Sequence, residues 1–443
     1  MHIVIVGGGA AGLTAARKLD RKLGRTGHSL TLVSMENVFL YQSLLSEAAG
    51  GTLEPRHVVV PLRSVLRHTE IVVGEVERVD PAARLLHLRG VDGDPFELRY
   101  DQLVLTPGSR SRTLPVPGLA EQGIGFKTLG EAILLRNHVL SRLESASQRP
   151  PRDPRRRAAL SFVFVGAGYA GVEAIAELED LSRWAVRHIP RLRPDELRWV
   201  LVEAQGVVLP EIASGLGEYA ARELERRGIE IKTSTRLESI EAGVVRLSDG
   251  DTFPAETLVW TAGVKPEPLA ALSALPVDGS GRLRVDASLR VEGYEGVIWG
   301  AGDAAAVPDL VNGGWCPPSA QYATRQGKRL AANVLATLGS SAGGGAGAGS
   351  AAGVEPFRYE ALGALCSLGR YKGVATVKGL RFKGFLGWFL HRSYHLLAMP
   401  TWTRRVKIAM DWTVALLFPR DLAQLGSLAD PREPFERASG EAP

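Results

Sequence analysis

Twice in 443 residues an apolar strand pattern runs into glycines spaced Gly-x-Gly-x-x-Gly and then into a helical pattern. The first copy opens the chain as MHIVIVGGGAAGLTAARKL, with Gly7, Gly9 and Gly12. The second is FVFVGAGYAGVEAIAELE, residues 162–179, with Gly166, Gly168 and Gly171. No other feature narrows the fold so far. A buried strand, a turn too tight for side chains and a helix N-terminus open a βαβ unit, whose free N–H groups and dipole face a pyrophosphate. Strand patterns at 29–33 and 198–202 continue the two units. Two such units imply two dinucleotides, or one dinucleotide and a decayed copy.

The strand at 198–202 closes on Glu203, a carboxylate placed to take both hydroxyls of an adenine ribose and to repel a 2′-phosphate. That favours NADH over NADPH at the second cradle. The first unit offers Ser34-Met35-Glu36 instead, and Glu36 is its best ribose contact. Short strands are expected at 71–80, 85–89 and 97–100, then an apolar strand ending at Pro107-Gly108. Another ends at Thr261-Ala262-Gly263. GVIWGAGDAAAVPD adds a strand and a glycine turn carrying Gly302 and Asp303, and Pro317-Pro318-Ser319 starts a helix from 320 to about 338. Residues 150–159, PPRDPRRRAA, read as a charged connector, and 340–353, SSAGGGAGAGSAAG, as a linker that cannot pack.

The expected fold class is therefore α/β, with two Rossmann-like dinucleotide-binding domains and a C-terminal region of different character. One domain takes residues 1–125 and 264–339, the other 126–263. A flexible linker at 340–355 leads to an amphipathic region at 356–443. Two cysteines, Cys316 and Cys366, make neither a disulfide framework nor a CxxC pair, and a reducing compartment is the default. No basic leader precedes the first strand, so no signal peptide is expected, and no apolar run is long enough to span a bilayer. The sequence contains no metal-ligand spacing.

Between residues 361 and 410 there are nine Lys or Arg and no Asp or Glu, interleaved with Phe382, Phe385, Trp388, Phe389 and several leucines. Such a block is too apolar for a disordered tail. It reads either as a subunit interface packed on the core or, better, as a surface lying on anionic lipid. The basic residues accompany Leu and Phe runs with no recognition motif, which argues against nucleic acid.

These segments together resemble the type II NADH dehydrogenases, the single-subunit NADH:quinone oxidoreductases among the glutathione-reductase-like flavoproteins. The resemblance rests on VGGGAAGL, LVLTPGS, VGAGYAGVE, LVWTAGVKP, WGAGDAAAVPD, AQYATRQG and the basic aromatic tail. It implies FAD on Gly7, Gly9 and Gly12, with Glu36, Pro107, Gly108, Gly302, Asp303 and Gln321 around it. It implies NADH on Gly166, Gly168 and Gly171, with Glu203, Thr261, Ala262 and Gly263. Glu173 would hold the nicotinamide carboxamide or relay a proton to the second substrate, or else serve as a cap or charge partner on its helix. A membrane quinone would be the acceptor, on a peripheral enzyme at the cytoplasmic face of the membrane; dimers are common in that family, and the oligomeric state of this chain is left open by its sequence.

Two departures touch only acceptor chemistry. The family's quinone-side motif has Ala-Gln, three residues and two glutamines; here Gln321 and Gln326 stand but Arg325 replaces the middle glutamine. A cation there would favour an anionic reduced quinone or fill its space. The tail also lacks a family lysine, carrying Phe385 and Leu386 with Lys383 close by. The alternative is a soluble NADH oxidase or diaphorase using oxygen or another small acceptor. Disulfide reductases are excluded because FLYQSLLSEAA, residues 39–49, holds no cysteine pair.

Overall fold

The computed structural model describes residues 1–24, 27–341 and 353–424. Most of the expected linker, 342–352, and the end of the expected tail, from 425, lie outside the described residues. The chain forms two compact units. The first comprises Met1–Leu40, Val59–Arg112 and Val264–Ala361, and the second Tyr41–Val58, Thr113–Gly263 and Leu362–Pro443.

The first unit is built on a seven-stranded sheet in the order Ile298–Gly300, Gln102–Leu105, His2–Val6, Ser29–Ser34, Glu70–Asp80, Leu85–Gly90, Pro95–Arg99. Neighbours pair in parallel as far as Glu70–Asp80, and the last two strands return antiparallel. Strand His2–Val6 is all but buried, as a parallel strand covered on both faces must be. Helix Ala10–Leu23 packs along helix Ala320–Ser341 at a distance that only glycine permits. A side-chain carbon on Gly327 would sit 2.3 Å from the Ala11 carbonyl oxygen.

The second unit repeats the plan with five parallel strands, ordered Gly123–Gly125, Thr257–Trp260, Ser161–Val165, Arg198–Val202, Ile229–Lys232. Strand Ser161–Val165 is wholly buried, and Phe162 stacks on Trp199 with ring centres 4.4 Å apart. Helix Leu129–Ser147, unforeseen from the sequence, starts at a capping box. The Thr128 hydroxyl oxygen accepts from Glu131 N–H, and the Glu131 carboxylate accepts from Thr128 N–H. An antiparallel meander, Leu237–Glu241, Val244–Leu247 and Thr252–Pro254, was likewise hidden.

Two readings of the sequence need correction. The charged connector at 150–159 contains a helix, Pro154–Ala159, capped by Asp153. Its Arg156 is buried, donates to Glu196 through two nitrogens and to the Ala146, Arg149 and Arg191 carbonyls. Buried guanidinium is tolerated because almost every donor is used. The tail, in turn, opens as a three-stranded antiparallel sheet, Gly363–Ser367, Gly373–Val377 and Leu380–Gly384, before helices Phe385–Ala398 and Trp402–Leu417. Trp388, read as part of its exposed face, is 6% exposed, with the Arg392 guanidinium over its ring. Nor are all nine cations unopposed, because Lys372 pairs with Glu223 and Arg392 with Glu47.

Replacing Arg156 by Ala strands Glu196 and three carbonyls, a loss of about 3 kcal/mol. The expected result is a thermal midpoint lowered by roughly 6 °C or more, read by differential scanning fluorimetry. A shift under about 1 °C would mean that the guanidinium network contributes no net stability.

Candidate functional site

Each sheet ends in a glycine turn, and the two turns are superposable in their chemistry. Gly7 and Gly166 have φ of +99° and +107°, a region that disfavours side chains. A side-chain carbon on Gly12 would lie 1.9 Å from the Gly7 oxygen, and one on Gly171 would lie 1.9 Å from the Gly166 oxygen. The helices can therefore drop onto the strand ends only as glycine. Gly9 and Gly168 are the N-caps of Ala10–Leu23 and Tyr169–Val186, and neither makes a side-chain cap bond. A side chain on Gly9 would meet nothing within 4 Å, which leaves the helix N-terminus open to an anion.

A threonine locks each turn, a role the sequence reading assigned to neither. The Thr106 hydroxyl donates to the Val6 oxygen at 2.8 Å or to the Gly7 oxygen at 3.3 Å. Thr261 does the same to Val165 and Gly166, at 2.9 and 3.0 Å. The signal was present in the recurrence of LVLTPG and LVWTAG. Pro107-Gly108 and Ala262-Gly263 continue these strand ends, with Gly108 and Gly263 both at positive φ.

The acids diverge. Glu203 is buried at the end of Arg198–Val202, where its carboxylate accepts from Ala167 N–H at 2.7 Å and Gln205 N–H at 2.8 Å. Ala167 lies between the first two glycines of the turn, so the carboxylate is tied to the second cradle itself. Glu36 stands exposed beyond the end of Ser29–Ser34.

In the first unit, Asp303 sits in the turn Gly302–Ala304 and accepts from the Ser109 hydroxyl at 2.8 Å. Gln326 is buried, and its amide oxygen accepts from Gly302 N–H at 2.8 Å. Its amide oxygen thus holds the turn that carries Asp303. Gln321 and Arg325 meet around a residue the sequence did not single out, Tyr359. The Tyr359 hydroxyl donates to Gln321 Oε1 at 3.0 Å, and the Arg325 guanidinium lies over the Tyr359 ring at 4.3 Å. Arg325 also donates to the Gln321 carbonyl at 3.0 Å. Helix Ala320–Ser341 has its start bonded by Ser319, whose hydroxyl accepts from Tyr322 N–H at 3.4 Å.

Glu173 in the second unit is not a helix cap. Helix Tyr169–Val186 has no acid in its first turn, and Glu173 lies on the next one. Its Oε1 accepts from Ser367 N–H at 2.9 Å and lies 3.1 Å from His391 Nε2, with all three groups buried. Burial pushes the neighbouring Cys366 thiol well up, and the Glu173 and Glu211 carboxylates add to the effect. Burial pushes Cys316 up to about 11 as well. Both cysteines are free and stay protonated at neutral pH, so neither offers a thiolate for sulfur chemistry.

Comparison with known proteins bears directly on these two cradles. Residues 1–327 match the family described as pyridine nucleotide-disulphide oxidoreductase. The chain is 30% identical over 435 residues to a type II NADH:quinone oxidoreductase of Mycobacterium tuberculosis, covering 95% of this chain and 89% of the relative. It is 29% identical over 410 residues to a probable NADH dehydrogenase of Dictyostelium discoideum, covering 91% and 87%. Among solved structures, NDH2 of Plasmodium falciparum in complex with NADH superposes with a TM-score of 0.85 at 18% identity, over 95% of this chain and 99% of that one.

The glycine contacts make a sharp test. Substituting Gly171→Ala forces helix Tyr169–Val186 off its strand end, and dinucleotide binding at that cradle should weaken by at least about tenfold, the equivalent of about 1.4 kcal/mol. Binding at the Gly7 cradle should be unaffected, since the two sites sit in separate sheets. Titration calorimetry on the purified variant measures both.

Proposed function

The chain belongs to the type II NADH:quinone oxidoreductases, within the pyridine nucleotide-disulphide oxidoreductase family, and from that premise we propose how its residues divide the work. It is an FAD-dependent oxidoreductase that passes two electrons from NADH to a quinone without pumping protons. The observation that carries our assignment is the duplicated, threonine-locked glycine turn of which only the second is closed by a buried acid. That acid, Glu203, supports NADH on Gly166, Gly168 and Gly171. The cradle at Gly7, Gly9 and Gly12 then takes FAD, with Asp303 as hydrogen-bond partner and Glu36 toward its ribose. The open helix N-terminus at Gly9 and the clamped carbonyls of both turns fit a pyrophosphate, and at Gly168 the Glu211 carboxylate stands 3.5 Å from where a side-chain carbon would lie.

Bound FAD supplies the two-electron redox chemistry, so the protein needs no ionisable group for the first half-reaction, only alignment. What the chain itself contributes is orientation, charge and a proton. Ser109 orients Asp303, and Gln326 fixes the turn that carries it. Helix Ala320–Ser341 directs its positive end outward from Ser319, where negative charge is favoured. Gln321, Arg325 and Tyr359 form the polar cluster we assign to the quinone side. Stacking over Tyr359 and donation to the Gln321 carbonyl restrain the Arg325 cation, so it acts as a fixed positive charge rather than a mobile plug. Glu173 is the proton donor to the quinone.

Attachment to lipid is the reading we favour for the tail. Along helix Trp402–Leu417 the exposed apolar residues Trp402, Val406, Met410, Val414 and Leu417 fall on one helical stripe. Phe385 and Phe389 on the preceding helix are exposed too. Aromatic and leucine side chains in a row beside Arg404, Arg405 and Lys407 support partial immersion in an anionic leaflet. No helix among the described residues is long and apolar enough to cross a membrane. We therefore propose peripheral attachment at the cytoplasmic face, where NADH is made. A homodimer over the same stripe is the competing arrangement.

The function is tested by bleaching the yellow protein with NADH without oxygen, then adding menaquinone or ubiquinone. Colour should return with quinone, and NADH should reduce the flavin at least roughly tenfold faster than NADPH. Equal rates in stopped flow would remove Glu203 as the ribose ligand. For the tail, Trp402→Ser with Leu417→Ser should cut co-sedimentation with anionic vesicles by about tenfold or more. An unchanged bound fraction, with a change in oligomeric state by light scattering, would reassign the stripe to a dimer contact.

A further inference from the structure

A line of buried titratable groups runs away from Glu173 within the second unit. His391 Nε2 lies 3.1 Å from Glu173 Oε1. One turn further along the same helix, the His395 ring stands edge-on to His391 with centres 4.4 Å apart. His395 Nδ1 is 2.9 Å from the Tyr41 hydroxyl, and Tyr41 is only half buried. The exposed Tyr394 ring lies 5.1 Å from His395 at the same outer end. Histidines buried purely for packing normally have both nitrogens bonded. Here His391 Nδ1 is buried with no protein partner.

We propose that His391, His395 and Tyr41 form a relay that returns a solvent proton to Glu173 after each turnover. The inference rests on the reading of Glu173 as proton donor to the quinone. The balance requires such a path. Hydride from NADH carries two electrons and one proton, while a quinone becoming a quinol needs two electrons and two protons. One proton per turnover must therefore come from solution. As the Glu173 O–H bond breaks and a quinone O–H bond forms, the carboxylate takes the proton on His391 Nε2. In the same concerted step His391 receives a proton at Nδ1 from His395 Nε2–H, so no imidazolate forms, and His395 receives one at Nδ1 from the Tyr41 hydroxyl, whose proton solvent replaces.

Imidazole suits this task because it accepts at one nitrogen while releasing at the other. His391 Nδ1 is left without a structural bond, and the His391 and His395 rings stand 4.4 Å apart between centres, within the range that ring reorientation can bridge. Burial, reinforced by His391, holds His395 well below the usual histidine range, so it rests neutral with a lone pair ready. Burial, with Tyr394 beside it, raises Tyr41, which rests as a donor. The other groups around the inner end are the Cys366 thiol, held protonated, and Tyr169, also raised by burial with Cys366, Glu211 and Glu173 nearby.

The test compares H391A, H395F and Y41F with E173Q in the FAD-loaded, full-length enzyme, with ubiquinone-1 as acceptor. In H391A and H395F, turnover should fall at least about tenfold and the solvent deuterium isotope effect on it should rise. Stopped-flow reduction of the flavin by NADH should stay within about threefold of the parent. Imidazole added to the buffer should restore part of the H391A turnover, and Y41F, which removes one hydroxyl, should show the same pattern in weaker form. If E173Q slows quinone turnover while the histidine variants and Y41F do not, the relay is wrong and the Glu173 reading stands. If E173Q also leaves turnover unchanged, both fall. Equal slowing of both half-reactions, with no imidazole rescue, would make the histidines structural and overturn the relay.

Discussion

A helix axis brought against the carbonyl that ends its own strand is the constraint from which the rest of this structure follows. At 1.9 Å from an oxygen no side-chain carbon can exist, so Gly12 and Gly171 alone admit the approach. Each approach aims a helix N-terminus along the end of a parallel sheet, where its unpaired N–H groups face an anion. Thr106 and Thr261 then tie the turn to the neighbouring strand, so that the cradle is held from two sides. Once two such cradles exist, they differ in what closes them. Glu203 is bonded into its cradle through Ala167 N–H, whereas Glu36 stands free of its own.

The second unit contains a set of carboxylates that no isolated domain of this size would bury without cause. Glu47, Glu177 and Glu179 are almost fully buried. Arg392 and Arg420, which answer the first two, come from the C-terminal segment. Arg227 answers Glu179 and also donates to the Leu368 carbonyl in the tail sheet. The Trp412 indole donates to Glu47 at 2.5 Å. Buried ion pairs of this kind contribute little net stability against an apolar alternative, but a misplaced partner leaves a charge uncompensated. They therefore set register. The tail is held at one position on helices Leu45–Ala49 and Tyr169–Val186, which is what places Ser367 and His391 on Glu173.

That register gives the tail two distinct faces. Trp388, Met399, Ile408 and Trp412 are buried, while Trp402 at 76% exposed and Leu417 at 75% face outward with the rest of the stripe. Inward, the tail completes a polar site; outward, it presents apolar and basic residues.

Local chemistry was legible in the chain. The glycine turns, their strands and helix Ala10–Leu23 came directly from spacing, because a turn needing positive φ and a helix starting at once afterwards are decided within a dozen residues. Glu203, the acid that follows strand Arg198–Val202, was readable for the same reason. What only the tertiary structure decided was the use of groups whose partners lie far off in sequence. Glu173 meets Ser367 across 194 positions, Gln326 spends its amide oxygen on Gly302, and Arg156 is buried inside what looked like a charged connector. Composition counts charges and aromatic rings, but burial depends on which face of a helix meets which carboxylate. In this chain that is settled by contacts between segments that the spacing of residues along the sequence does not bring together.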